Sequence, residues 1–394
     1  MSAPSSVLIV GASAAGLTTA EALRRRGYSG ALTVLGAEPH IPYDRPPLSK
    51  QLLSGHWDVT RTRLRVPSAL DELDADLLLG ERAVEMDTEN LTVHTTSSRA
   101  LQADRVVVAT GLRARKLPGQ DGLANVHCLR TVDDALALRA AMRTATRLVV
   151  VGDGVLGSEI AATACGSGLD VTLVGPQPAP MTGRLGPVVA AQLAALHTER
   201  GVRLRPGIAV DGLAEDRGRA TGVRLGTGEV LPADVVVVAI GGEPNTAWLD
   251  GGRMCTDGGL VCDAYCRAAE GVYAASDVAR WHHQGFNTYV QLENRTNATE
   301  QAIAVAGALL GDERPYCPVP YFWTDQFDAR IQVYGVPSAE DEVEIAEGSV
   351  VERRFVAVYR RREVVTGVLG WNMPKQARRL RRDVIHDWSV ISPA

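Results

Sequence analysis

Uninterrupted apolar runs that stop at a glycine recur along the chain. VLIVGAS begins at Val7, ALTVLGAE at Ala31, DRVVVATG at Asp104 and ADVVVVAIGGEPN at Ala233. Runs without polar alternation predict strands buried on both faces, as in a parallel sheet. Between the first two, AAGLTTAEALRRRG has helical spacing and stops at Gly27, so residues 7–38 read as strand, turn, helix, strand. Residues 147–175 repeat that unit, from VVVGDGVLGSEIA to VTLVG, and ADVVVVAIGGEPN echoes DRVVVATG. The pattern is a duplication of architecture. From residue 317 the texture changes to aromatic, β-rich segments (PYFWTDQFDARIQVYG, FVAVYRR, VVTGVLGW) that end in a predicted basic helix, NMPKQARRLRRDV. The expected fold class is α/β: two Rossmann-like dinucleotide-binding domains and a C-terminal α+β domain. The linker LRARKLPGQDG, with Pro118 and its glycines, marks the first crossing. The expected boundaries are 1–112 with 241–316, then 113–240, then 317–394.

A glycine turn between strand and helix suits a pyrophosphate, because the backbone comes close and the helix N-terminus offers unpaired N–H groups. In the first turn Gly11 makes the bend, Ser13 stands where a second glycine is usual, and Gly16 permits close packing. Glu38, 27 positions after Gly11, is placed to accept hydrogen bonds from an adenosine ribose. In the second turn Gly152, Gly154 and Gly157 match G-x-G-x-x-G. Two such turns predict two dinucleotides, one a fixed redox cofactor and the other its electron donor. The second unit's strand VTLVG ends at Gly175, where an acid for the ribose hydroxyls is usual, and no arginine follows until Arg184. The choice between NADH and NADPH stays open.

Composition narrows the class. At 394 residues, 45% hydrophobic and 22% charged, the chain can bury two or three cores. MSAPSSVLIVG has no basic leader and no apolar stretch approaches the roughly 20 residues of a spanning helix. The expected location is therefore the cytoplasm, with neither membrane nor nucleic acid as partner. Six cysteines lie scattered without C-x-x-C or metal-ligand spacing, which leaves no iron–sulfur or zinc site to propose and reads as reduced thiols. Net charge is −5, but residues 348–382 hold ten Lys or Arg against two acids, a local +8 against −13 elsewhere. That asymmetry suggests a surface for something acidic.

With two glycine turns, ATG at Ala109–Gly111 and AIGGEPN at Ala239–Asn245, the chain resembles the two-dinucleotide flavoproteins of glutathione-reductase type. PYDRPPLSK (Pro42–Lys50), LRTVDDA (Leu129–Ala135), SDVA (Ser276–Ala279) and PYFWTDQF (Pro320–Phe327) are similar to the ferredoxin reductases of bacterial haem monooxygenases and ring-hydroxylating dioxygenases. That resemblance implies FAD held by Gly11, Ser13, Ala14, Ala15, Gly16 and Glu38. Arg45 and Arg130 would add charge near the phosphates, and Asp277 would bind the ribitol. Ala83, Ala109, Thr110, Gly111, Gly241, Gly242, Glu293, Asn294, Arg295 and Trp323 are implied cofactor contacts. NAD(P)H would take Gly152, Gly154, Val155, Leu156 and Gly157. Lys50 and Glu159 would form the catalytic pair beside the flavin, orienting the nicotinamide; the plainer alternatives are a solvated loop lysine and a helix-surface acid. Three departures stand out: Ser276 replaces a glycine, Gly175 replaces the acid, and Glu293-Asn294-Arg295 replaces Glu-His-Trp. The missing tryptophan faces the electron acceptor in that family, so the acceptor contact is where a difference is expected.

The implied reaction takes a hydride from NAD(P)H to FAD and passes single electrons to an iron–sulfur ferredoxin, whose cluster must belong to the partner. Lys375, Arg378, Arg379 and Arg382 would share one face of a C-terminal helix and dock it, unless that face is simply solvated. The lack of any cysteine in residues 40–60 argues against disulfide reduction. NAD(P)H oxidase or quinone reductase activity, and a flavin-bound redox sensor, remain as alternatives.

Overall fold

In the computed structural model, which describes residues 3–249 and 254–385, every apolar run named above lies in the interior of a sheet. The first sheet runs in the order Arg267–Ala269, Val272–Ala274, Arg105–Val108, Ser6–Val10, Ala31–Gly36, Asp76–Leu79. All its pairings are parallel except the edge hairpin of Arg267–Ala269 with Val272–Ala274. Val7, Leu8, Ile9 and Val10 are buried in one core with Leu17 and Val305 from helices and Met86 and Val93 from an antiparallel meander, so neither face of the run meets solvent and it shows no alternation. Helix α1 (Ala14–Arg25) follows the first strand, and the short α2 (Pro67–Asp71) precedes the edge strand.

Residues 126–238 build a second parallel sheet in the order Arg203–Pro206, Asp170–Gly175, Arg147–Val151, Val235–Val238, Val126–His127. It is flanked by α3 (Val132–Met142), α4 (Val155–Gly166) and α5 (Thr182–Glu199). The duplication reaches individual hydrogen bonds. Gly11 N donates to Leu35 O at 2.7 Å and Gly152 N to Val174 O at 2.8 Å. Ala109 N donates to Val10 O and Ala239 N to Val151 O, both at 2.7 Å. Each sheet also carries an antiparallel three-stranded meander, at 83–102 in the first and 210–232 in the second.

The chain passes from the first sheet to the second at Leu112–Ala114 and returns at Gly242–Pro244. These two segments pair antiparallel, with Ala114 opposite Gly242. After the return, α6 (Arg295–Leu309) packs on α1 and closes the first core.

The third sheet is antiparallel, in the order Tyr321–Gln326, Ala329–Gly335, Val364–Trp371, Arg354–Arg361, Glu342–Ser349. One face buries Ile331, Phe355, Tyr359 and Trp371 against Leu185, Val189 and Leu193 of α5. The other face is covered by α7 (Pro374–Leu380) through Ala377. The predicted basic helix therefore stops early: Arg381–Ile385 form a 3-10 turn. Pairs of like charge four apart, Lys375 with Arg379 and Arg378 with Arg382, oppose a longer helix.

At the seam of the second and third sheets, His197 of α5 is fully buried and its Nε2 lies 2.7 Å from Gln326 Oε1. Burial holds this histidine below the ordinary value of 6.5, although the Gln326 contact opposes the shift. The unfolded chain then binds a proton that the folded chain refuses, so stability falls as pH drops through the unfolded value. The thermal midpoint should fall between about pH 7 and pH 5, and less steeply in His197→Gln. Parallel slopes for the two proteins would remove His197 from that account.

Candidate active site

In each parallel sheet a central strand, Ser6–Val10 or Arg147–Val151, ends in a turn that only glycine satisfies. Gly11 (φ 125°) and Gly152 (φ 112°) lie in the left-handed half of backbone space, and a Cβ there would sit 2.1 Å from Ala109 O and 2.2 Å from Ala239 O. A Cβ at Gly16 or Gly157 would fall 1.7 Å or 1.8 Å from the carbonyl oxygen of Gly11 or Gly152. Gly154 differs, because a Cβ there would meet nothing within 4 Å. The protein's own packing does not require its bareness, and a ligand approaching the backbone does.

Neither helix N-terminus is capped from within. Ser13 and Gly154 are the N-cap residues of α1 and α4, and neither supplies a side-chain cap bond. Backbone N–H groups of Ala14, Ala15 and Gly16, and of Val155, Leu156 and Gly157, thus face an anion position. Both turns fit a pyrophosphate.

Around the first turn, charged groups converge from distant segments. A capping box between Thr131 and Asp134 starts α3, and Asp134 also accepts from Arg130 N at 3.0 Å. So fixed, Arg130 reaches Asp277 Oδ2 at 3.2 Å, and the left-handed Gly111 leaves it room, a Cβ there lying 3.0 Å from its NH2. Burial, then the neighbouring Arg45 charge, pushes the Arg130 guanidinium down, as a nearby anion would relieve. Arg45 binds Glu38 Oε1 at 2.8 Å, and Glu38 also accepts from Tyr43. Glu38 therefore sits in a network as well as beside the turn, which its spacing alone did not reveal. Ser276 adopts φ 77°, a glycine-like conformation, just before the buried Asp277. Thr110 Oγ1 donates to Asn245 O at 2.9 Å. Gly241 is left-handed with open space beside it, whereas Gly242 is small for Leu112, 2.9 Å from where its Cβ would be. Ala83 lies half-buried at the start of the 83–102 meander.

Lys50 and Glu159 meet between the units. Lys50 follows a 3-10 turn, Pro46–Ser49, that Pro46 and Pro47 initiate, and Glu159 lies on the buried face of α4. Lys50 Nζ stands 2.5 Å from Glu159 Oε2, with the two side chains 12% and 6% exposed. Ser49 Oγ donates to the same oxygen at 2.6 Å, and Thr324 Oγ1 donates to Oε1 at 2.8 Å. The 46–50 turn and the third sheet thus meet on one carboxylate of α4. Ser49, Thr324 and Asp325 were not singled out from the sequence. Burial pushes the Asp325 carboxyl up, and the Lys50 charge is the largest influence opposing it.

The departures at 293–295 have local explanations. Asn294 Oδ1 accepts from Asn297 N at 2.8 Å and caps α6. Arg295 is tied to Asp44 of the PYDRPPLSK loop and to Thr299. Glu293 is pushed up by burial first and by the Asp277 charge second, with Arg184 and Arg130 opposing. Trp323 is half-buried on the strand that carries Thr324 and stacks on Tyr321, ring centroids 6.1 Å apart.

Of the basic residues 375–382, Lys375, Arg378 and Arg381 line a groove of about 630 Å³ with Tyr321, Tyr334 and Glu300, and Arg379 is paired with Glu347.

The sequence pattern of the pyridine nucleotide-disulphide oxidoreductases matches residues 5–302, and the reductase C-terminal pattern matches residues 321–393. The chain belongs to the pyridine nucleotide-disulphide oxidoreductase family. Within the family it stands with the ferredoxin reductases. It is 37% identical to rhodocoxin reductase of Rhodococcus erythropolis, over 88% of this chain and 81% of that one. Putidaredoxin reductase of Pseudomonas putida is 32% identical over 100% of this chain and 94% of the relative. The crystal structure of the covalent putidaredoxin reductase-putidaredoxin complex superposes with a TM-score of 0.92 at 32% identity, covering 98% of this chain and 94% of that one. The family member is an NAD(P)H-dependent oxidoreductase with FAD as cofactor. No helix among its described residues is long and apolar enough to cross a membrane.

Proposed function

We propose that this chain draws electrons from NAD(P)H through FAD and delivers them singly to an iron–sulfur ferredoxin that serves a haem monooxygenase or a ring-hydroxylating dioxygenase. The observation that carries the reading is the buried Lys50–Glu159 pair, which joins the 46–50 turn to α4 in a chain with two uncapped glycine turns. Bound FAD supplies the chemistry, because it accepts two electrons together and releases them one at a time.

The chain's residues bind and orient. The α1 turn, with Arg45, Arg130 and Asp277, holds the FAD pyrophosphate and ribitol, and Glu38 serves the adenosine ribose. The α4 turn holds NAD(P)H. Glu159, with three donors on its carboxylate, fixes the Lys50 ammonium and so the face on which the nicotinamide lies. This division assigns FAD to residues 1–112 with 241–316, NAD(P)H to 113–240, and the acceptor face to 317–394 with α6. The site of action is the cytoplasm, where free thiols such as Cys262 and Cys266 stay reduced.

The groove lined by Lys375, Arg378 and Arg381 is the docking surface for an acidic ferredoxin. Lys375→Glu/Arg378→Glu should slow ferredoxin reduction about 10-fold at low salt and leave ferricyanide reduction unchanged. Equal losses with both acceptors would refute the docking role. Oxygen uptake equal to NAD(P)H consumption, without acceleration by any ferredoxin, would favour an oxidase instead.

A further inference from the structure

The second nucleotide unit lacks an acid at the end of the strand Asp170–Gly175, and the structure shows what fills the space. A Cβ on Gly175 would lie 2.2 Å from Asp153 Cγ and 2.4 Å from its Oδ2. The carboxylate of Asp153, the middle residue of Gly152-Asp153-Gly154, occupies the position that a side chain at 175 would enter. An acid in the turn thus stands where a side chain at the strand end would project.

The Asp153 carboxylate is held in position. Its Oδ2 accepts from Gln177 N at 2.9 Å and its Oδ1 from Gln177 Nε2 at 2.8 Å. The Gln177 side chain is fixed in turn, because its Oε1 accepts from Gly183 N at 2.7 Å. A carboxylate offers about four lone-pair sites, so each oxygen retains one acceptor position. With the residue 6% exposed, its charge is poorly screened.

The arginines of the neighbouring strand are already paired with acids. On the neighbouring strand, Arg205 lies opposite Val174 and binds Glu229 Oε1 at 3.0 Å, and Pro206 lies opposite Gly175. Arg203 is paired with Asp170 at 2.7 Å. Arg184 is exposed and lies over the Phe322 ring. A phosphate on the ribose would meet a buried carboxylate with both arginines of the adjacent strand engaged.

We infer that Asp153 is the residue that reads the adenosine ribose, accepting from its free hydroxyls and excluding a 2′-phosphate, so that NADH is the donor. The inference rests on the α4 turn being the NAD(P)H site.

The test is titration calorimetry of the FAD-loaded protein with ADP-ribose and with 2′-phospho-ADP-ribose, which reads binding without hydride transfer. The wild type should prefer ADP-ribose about 100-fold. Asp153→Asn should weaken ADP-ribose about 10-fold and bring the two ligands within a few-fold of each other. Asp153→Gly/Gly175→Glu, which returns the acid to the strand end, should restore the preference. An unchanged flavin spectrum and melting temperature would show that the variants are folded. An Asp153→Asn protein that keeps the wild-type preference overturns the assignment, as does a wild type that binds both ligands equally. A wild type that binds neither overturns the NAD(P)H reading of the α4 turn as well.

Discussion

Lys50→Met should reduce its flavin about 100-fold more slowly with NAD(P)H, the scale of losing one aimed electrostatic group. Anaerobic stopped-flow absorbance would read that rate. The same change leaves the Glu159 carboxylate, 6% exposed, with two hydroxyl donors and no counter-charge. Breaking a buried pair from one side costs about 3–5 kcal/mol, so the denaturant midpoint should fall too. Glu159→Gln keeps a hydrogen-bonding group in place and should lose rate with a smaller loss of stability. The double variant Lys50→Met/Glu159→Met removes both charges and should recover stability without recovering rate. A Lys50→Met protein reduced at full speed would show that the pair only fastens the 46–50 turn to α4.

Gly154→Val separates the two glycine turns. Gly154 has φ −77° and open space around its Cα, so valine fits the backbone and the protein should stay folded and yellow. Its branched side chain then stands in front of the α4 N-terminus, where the pyrophosphate must touch the main chain, and NAD(P)H affinity should fall about 100-fold. Gly16→Val is the contrast. Its Cβ would overlap Gly11 O at 1.7 Å, and a loss on the order of 4 kcal/mol or more should abolish flavin retention. Gly154→Val with unaltered NAD(P)H affinity would move the donor site away from α4.

The strands and both turns were legible because their causes are local. A strand covered on both faces needs an unbroken apolar run, and a tight turn needs glycine whatever lies elsewhere in the chain. The surroundings of Glu159 were not legible, because its partners lie 109 to 165 positions away and converge only when the 46–50 turn and the third sheet pack on α4. The missing acid at Gly175 was visible, but that Asp153 stands in its space was not, since a shared volume leaves no mark in spacing. Asn294 carried a readable signal as a cap residue ahead of a helix. The basic run at 375–382 was plain as charge. Its division between a helix and a 3-10 turn, which decides which arginine lines the groove, depends on packing against the third sheet.

Where the chain crosses between the parallel sheets, outgoing and returning segments lie side by side with Ala114 opposite Gly242. A stretch of chain that departs and comes back at one spot has its two ends a strand's width apart. It can be gained, lost or traded between relatives as a cassette without rethreading the host, because the doorway in the host never widens. The donor specificity set by Asp153 and Gly175 lies wholly inside that cassette, and the groove for the acceptor lies wholly outside it. Selection can therefore revise the source of electrons and their destination independently.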